Sequence, residues 1–330
     1  SILGFGNPDL TWQYTYSHNI GMELTMLSGL ISANVNFYRR LTEGSISNAT
    51  LPPSHGYTSY KENQGDIKNE GYDFSVSLRV INDMQRRINW SVRGSFQSNR
   101  NVLVRLSAAM KEYSERIQAR DVGNQNPAFL YREGESMSAL YVVRSLGIDP
   151  ATGKELFQKR NGTVSYKYDN NDKVPVGVSE PKITGNLSST FRYKNFNFSV
   201  AFNLRLGGQK YNSTLVQKVE NADILKNVDR RVFGGRWRGP DHYAKYKGLN
   251  EELTVGQSSR FVQDERTLKC GSVNMSYNWV SKWVKTTLKM SSISFNINTT
   301  DLFQISTVKL ERGTSYPFAR RISTQISFNF

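Results

Sequence analysis

Cysteine is almost missing: Cys270 stands alone, so these 330 residues cannot form an internal disulfide. Histidine is nearly as scarce, and His18, His55 and His242 are too scattered to suggest a zinc-type site. No structural metal and no cofactor are expected. Long apolar runs are absent too. Hydrophobic residues make up 38% of the chain, the mean hydropathy is −0.54, and no stretch approaches the roughly 18 apolar residues of a membrane helix. Helical membrane spanning is therefore excluded. Acid is scarce relative to base, 28 against 43, leaving a net charge of +15. The basic residues are dispersed and belong to no nucleic-acid module, so no nucleic-acid partner is expected. Anionic lipid headgroups or an acidic ligand are better uses for the charge. The opening residues SILGFGNPDL lack the basic start and apolar run of a secretion signal, which places any such signal upstream or already removed.

What is abundant is aromatic and alternating. With 17 Tyr, 17 Phe and 5 Trp, the composition favours strands and an all-β fold. Tyr72, Phe74, Val76 and Leu78 alternate with Asp73, Ser75 and Ser77; Ile88, Trp90 and Val92 alternate with Asn89, Ser91 and Arg93. Phe198 to Leu206 repeats the dyad, with even-numbered residues apolar, and so does Ile293 to Ile297. A period of two gives a strand with one greasy and one wet face. Arg, Asp and Asn in mid-strand are costly in a packed sandwich but suit a wet lumen. The pattern predicts an antiparallel transmembrane β-barrel whose even-numbered residues from Phe198 to Leu206 face lipid.

The connections come in two lengths. Short ones lie near Ser28-Gly29, Asn82-Asp83, Lys194-Asn195 and Ser281-Lys282, and long excursions run through about 41–69, 100–183, 207–260 and 299–320. Short periplasmic turns and long extracellular loops are the habit of outer-membrane barrels. Walking the strands yields about nine or eleven, depending on whether the hairpin in 137–158 joins the wall or folds within its loop. An open sheet would leave unpaired edges in lipid, so the chain is expected to be one portion of a larger barrel, completed by the other half of the same barrel. The final stretch, RRISTQISFNF, alternates to its last residue. Ile326, Phe328 and Phe330 are expected to serve as a membrane-insertion signal, and Trp279 and Trp283, flanking a short turn, as an interfacial girdle.

Several segments resemble the SusC/RagA family of TonB-linked outer-membrane transporters: GNPDLTWQYTYSHNIGMEL, NEGYDFSVSLRV, LYREGESMSALYVVRSLGIDPATGKELF, EPKITGNLSSTFRYKNFNFSVAFNLRLGGQKYN, RRVFGGRWRGPDHYAKYKGL, SSRFVQDERTLKCGSVNMSYNW and TSYPFARRISTQISFNF. They span nearly the whole chain, in the family's order. Two departures are Gln13 in place of the usual Glu and the Cys270-Gly271-Ser272 run. The resemblance implies the C-terminal half of a plugged barrel of about 22 strands. It also implies energy supplied through TonB by the missing N-terminal part, a SusD-like surface lipoprotein as partner, and an oligosaccharide or peptide as cargo. A passive porin is the rival reading.

No catalytic constellation is present, so the expectation is a non-enzyme. Asn161-Gly162-Thr163 and Asp169-Asn170-Asn171-Asp172 read as turns rather than a glycosylation or calcium site. In the loop GGRWRGPDHYAKYKGL, Trp237, Tyr243 and Tyr246 offer faces for stacking, while Arg236 and Arg238 can donate to hydroxyls or carboxylates. Together with Tyr57 and Tyr60 they are the candidates for contact with substrate or lid. Packing the loops against one another is the competing use.

Overall fold

The computed structural model describes residues 7–50, 59–119, 126–223, 225, 228–249, 256–309 and 320–330. Four strands come first: β1 (Tyr14–Met26), β2 (Ile31–Thr50), β3 (Ser59–Asp83) and β4 (Ile88–Leu106). A long excursion follows, with helix α1 (Ala108–Ala119) and strands β5 (Ala139–Ile148), β6 (Glu155–Gln158), β7 (Val164–Ser165) and β8 (Lys173–Val178). The chain returns as β9 (Ile183–Tyr193) and β10 (Phe196–Tyr211), makes a second excursion, and ends with β11 (Val262–Trp279), β12 (Ser292–Thr300), β13 (Gln304–Ser306) and β14 (Ile322–Asn329). The wall is one antiparallel sheet in the order β1-β2-β3-β4-β9-β10-β11-β12-β14, with β13 paired to β11 beyond β12. Its nine full strands follow the walk read from the sequence. Strands β5 to β8 form a separate sheet, ordered β7-β6-β5-β8, so the hairpin in 137–158 lies in the loop and not in the wall.

Register shows why the alternation matters. Leu24, Ala33, Val76, Gly94, Leu187 and Phe202 lie side by side across the sheet, and one row away run Met26, Ile31, Leu78, Val92, Ser189, Val200 and Val273. Between them, on the opposite face, run Thr25, Ser32, Ser77, Arg93, Ser188, Ala201 and Ser272. Over these rows one face is apolar and the other polar, as a spanning wall requires. The even-numbered residues from Phe198 to Leu206 all lie on the apolar face, because β10 itself carries no bulge over this span. The irregularity falls on β11, where Ala201 pairs Ser272 but Phe202 pairs Cys270, leaving Gly271 as the extra residue. A Cβ there would lie 2.7 Å from the Asn203 side-chain amide, which would have to move aside. The other sequence departure, Gln13, accepts the Ile46 N–H through its side-chain oxygen at 3.0 Å.

The loop boundaries read from hydropathy need correction. The excursion assigned to 41–69 is still ladder through Thr50 and again from Ser59; β4 runs to Leu106 and β10 to Tyr211. The apolar rows stop at the pair Phe37–Tyr72, and the next positions on that face are Arg39–Glu70 and Leu41–Lys68, the former an ion pair at 3.3 Å. Backbone pairing continues after the residues on that face turn from apolar to charged, so hydropathy ends before the strands do.

The first excursion folds over the polar face. Leu103, on that face, is buried with Leu106 of the same strand and Met110 of α1. At the other rim the turns are tight, with Ser28, Arg87 and Lys194 all in the left-handed region at φ of 53°, 57° and 50°. Ser281 caps the short helix Lys282–Thr287 by accepting the Val284 N–H at 3.2 Å. There Trp279 and Trp283 stack with ring centres 5.8 Å apart. Ile326 and Phe328 face outward opposite Phe295 and Ile293, and Phe330 is exposed beyond them.

Candidate functional site

The long-loop rim is a single built object. Val142 of β5 is buried with Tyr211, Leu215, Val216, Val219 and Phe261 of the second excursion, joining two segments that are remote in sequence. The backbone seals the joint: the Val143 N–H donates to Gln257 O at 3.0 Å, and Ser259 Oγ accepts from the Ser145 N–H at 2.9 Å.

Arg260 clamps this joint. Its guanidinium donates to both oxygens of Glu155, at 3.2 and 2.8 Å, to Glu220 Oε1 at 2.8 Å and to Lys245 O at 2.7 Å. Burial works against its charge, but the bonds and attraction of Glu155 and Glu220 outweigh that and hold its pKa above the usual arginine range. The carboxylate side chains are 7% and 0% exposed, so the triad sits out of water.

Arg236 is a second hub and corrects an expectation. It is only 4% exposed, and it donates to the carbonyls of Val232 (2.5 Å), Lys247 (3.1 Å), Glu220 (3.1 Å) and Val219. Burial lowers its pKa, partly countered by Glu220. A guanidinium that is buried and gives four of its five N–H bonds to backbone carbonyls is framework and not a face for cargo. Trp237 is likewise committed to the framework. Its indole N–H reaches Pro150 O at 2.8 Å, and its ring covers Gly153, where a Cβ would lie 2.6 Å away. Tyr246 is half-buried against the shared core, and burial followed by Glu220 raises its pKa. Arg238 and Tyr243 remain outward, Tyr243 being 87% exposed. Tyr60 donates to Glu62 at 3.2 Å, while Tyr57 and His55 lie outside the described residues. Asp169 caps Asn171 and Asp172 accepts the Arg160 N–H, so that acidic run serves its own turn.

The polar face adds residues that sequence reasoning missed. Glu180 accepts from Asn99 at 2.9 Å and Asn101 at 2.5 Å; Tyr38 donates to Asn99 at 3.0 Å, and Ser136 to Asn101 at 2.7 Å. Below this network Asn34, Asp73, Ser75, Ser95, Gln97 and Asn186 line a cavity of about 350 Å³. Glu180 and Arg260 stood inside family-like runs, EPKITGN and SSRFVQDER, but nothing local marked their partners. The arrangement offers amides and hydroxyls for binding.

Residues 2–128 match the family described as TonB dependent receptor-like, beta-barrel. Over those residues the chain is similar to a TonB-dependent-receptor β-barrel. Among curated relatives of the chain, TonB-dependent receptor P39 of Formosa agariphila is 21% identical over 93% of the chain, and SusC of Bacteroides thetaiotaomicron is 22% identical over 86%. The barrel of the RagAB peptide transporter superposes with a TM-score of 0.72 at 18% identity, over 93% of the chain. The resemblance to SusC/RagA proteins is borne out. The chain spans about a third of these proteins, 33% of P39, 28% of SusC and 33% of the RagAB chain.

Proposed function

We propose that this receptor portion is one side of an importer that carries a bulky nutrient, oligosaccharide or peptide, across the bacterial outer membrane. TonB supplies the energy, and a SusD-like lipoprotein closes over the long-loop rim. The observation that carries the reading is the pairing of an unbroken two-faced wall with excursions welded into one body at one rim only. A wall alone would suit a passive porin, but a rigid, aromatic-bearing rim suits capture of cargo or docking of a lid. The amides of Asn34 and Gln97, with the hydroxyls of Ser75 and Ser95 beside them, match the hydroxyls of sugars and the amides of peptides equally well. RagAB is described as a peptide transporter, which favours the peptide arm for this receptor by likeness alone.

Within the rim, Tyr243 and Arg238 are the residues free to touch cargo or lid, and Arg236, Trp237 and Tyr246 hold them in place. Replacing both Tyr243 and Arg238 by alanine should lower uptake about five- to tenfold, the loss of one stacking face and one charged donor, while the amount of heat-modifiable barrel stays constant. Uptake at the wild-type rate in that variant would remove the rim from the binding surface. Deleting the TonB complex should abolish accumulation against a gradient; accumulation that persists would favour the porin.

A further inference from the structure

The apolar face of the first four strands ends abruptly toward the long-loop rim. Its last apolar row runs Ile20, Phe37, Tyr72 and Ser98, with Ile20 75% and Phe37 56% exposed. The next row on the same face, about 7 Å higher at the rise of a strand, runs His18, Arg39, Glu70 and Arg100, one residue from each of β1 to β4. Lys68 joins it from the row above. Two cations already share Glu70: Arg39 Nε lies 3.3 Å and Lys68 Nζ 3.1 Å from the same oxygen, Oε1. Arg100 stands opposite Glu70 in register, is exposed, and forms no ion pair among the described residues. The next carboxylate up this face on β1 to β4, Glu43, stands two rows farther from the apolar band, beside Tyr14. Three cations around one carboxylate leave two positive charges over, directly above an apolar surface. Toward the short turns the same face closes on Ile81, Trp90 and Phe191, with no charge in the row.

We infer that this patch seats the phosphate monoester of a lipid headgroup in the leaflet on the long-loop side. The inference rests on the reading of the apolar face as lipid-facing. Depth favours lipid over a protein partner: the cations begin one row above side chains that hydrocarbon must cover, which is where a bilayer carries its headgroups. Charge favours a monoester: at about −1.5 to −2 near pH 7 it matches the two positive charges left over, whereas a diester would leave one of them unmet. Strand spacing puts Arg39 and Arg100 about 10 Å apart at the backbone, on either side of Glu70, a gap that two long side chains close on one phosphate. Their planar forks grip its oxygens, Lys68 acts as a point charge, and His18 supplies a ring N–H.

The test uses the full-length protein in phosphatidylcholine nanodiscs. Monophosphoryl lipid A, the same lipid with its phosphate removed, or phosphatidylglycerol is added in turn, and native mass spectrometry measures the lipid retained. The expected result is retention of the monophosphoryl lipid about tenfold above the other two, an advantage lost with Arg39→Gln and Arg100→Gln together. Glu70→Gln should raise its retention about threefold by removing the competing carboxylate. Loss of folding cannot produce such a gain, so this variant decides the matter even if the double variant assembles poorly. The inference is overturned by equal retention of the dephosphorylated lipid or of phosphatidylglycerol, and by displacement with millimolar inorganic phosphate, which would make this a site for the free ion. It is equally overturned if the double variant keeps the lipid and instead sheds a partner protein. Single cysteines at Ser199 and Val200, in a background with Cys270→Ser, report on the wall separately. A lipid-phase label that takes position 200 and spares 199, with no phosphate preference at the patch, overturns this inference and leaves the lipid-facing assignment standing.

Discussion

Replacing Arg260 by alanine is expected to cost about 3–5 kcal/mol of the stability of the joined excursions, because it leaves two buried carboxylates with their shared cation gone. Glu155 comes from β6 and Glu220 from the second excursion, so the loss falls on the joint and not on either part alone. Hydrogen exchange should rise in 139–178 and 212–220 together while β1 to β4 stay protected. Arg260→Lys should recover little, since an ammonium cannot serve two carboxylates and the Lys245 carbonyl in the same fork geometry. Removing all three charges at once, with Arg260→Met, Glu155→Leu and Glu220→Leu, should cost far less than Arg260→Ala. Should Arg260→Ala leave exchange in both excursions unchanged, the ion triad is not what fastens them.

The second large effect belongs to the wall. An arginine at Val200 should destabilise the barrel in a bilayer by about 2–4 kcal/mol, and one at Ser199 by much less. The two positions are chain neighbours paired to the same two strands: Val200 pairs Ser189 and Val273, Ser199 pairs Thr190 and Asn274. Only the face differs. Denaturant titration of the refolded full-length protein in lipid vesicles measures the gap, and equal costs at both sites would contradict the lipid-facing assignment of the even-numbered residues.

The wall was legible from the residues because each strand meets two solvents at once, and the period of two writes that division locally, residue by residue, along Tyr72 to Leu78, Ile88 to Val92 and Phe198 to Leu206. Turn positions followed for the same reason, since each interrupts the period. The ends of the strands were not legible: beyond Phe37 and Tyr72 the ladder continues into water, where hydropathy no longer distinguishes strand from loop.

The rim was decided by tertiary structure alone. Arg236, Trp237 and Tyr243 look equivalent in GGRWRGPDHYAKYKGL, yet the first is sealed in by carbonyls, the second is pinned to a turn 87 residues away, and the third stands in solvent. Arg260 carried no local mark, and its partner Glu155 lies 105 residues upstream. An irregular segment has no period to report which side of it is buried. A side chain there is framework or contact according to what the rest of the chain brings beside it, and that is set only when the two excursions meet.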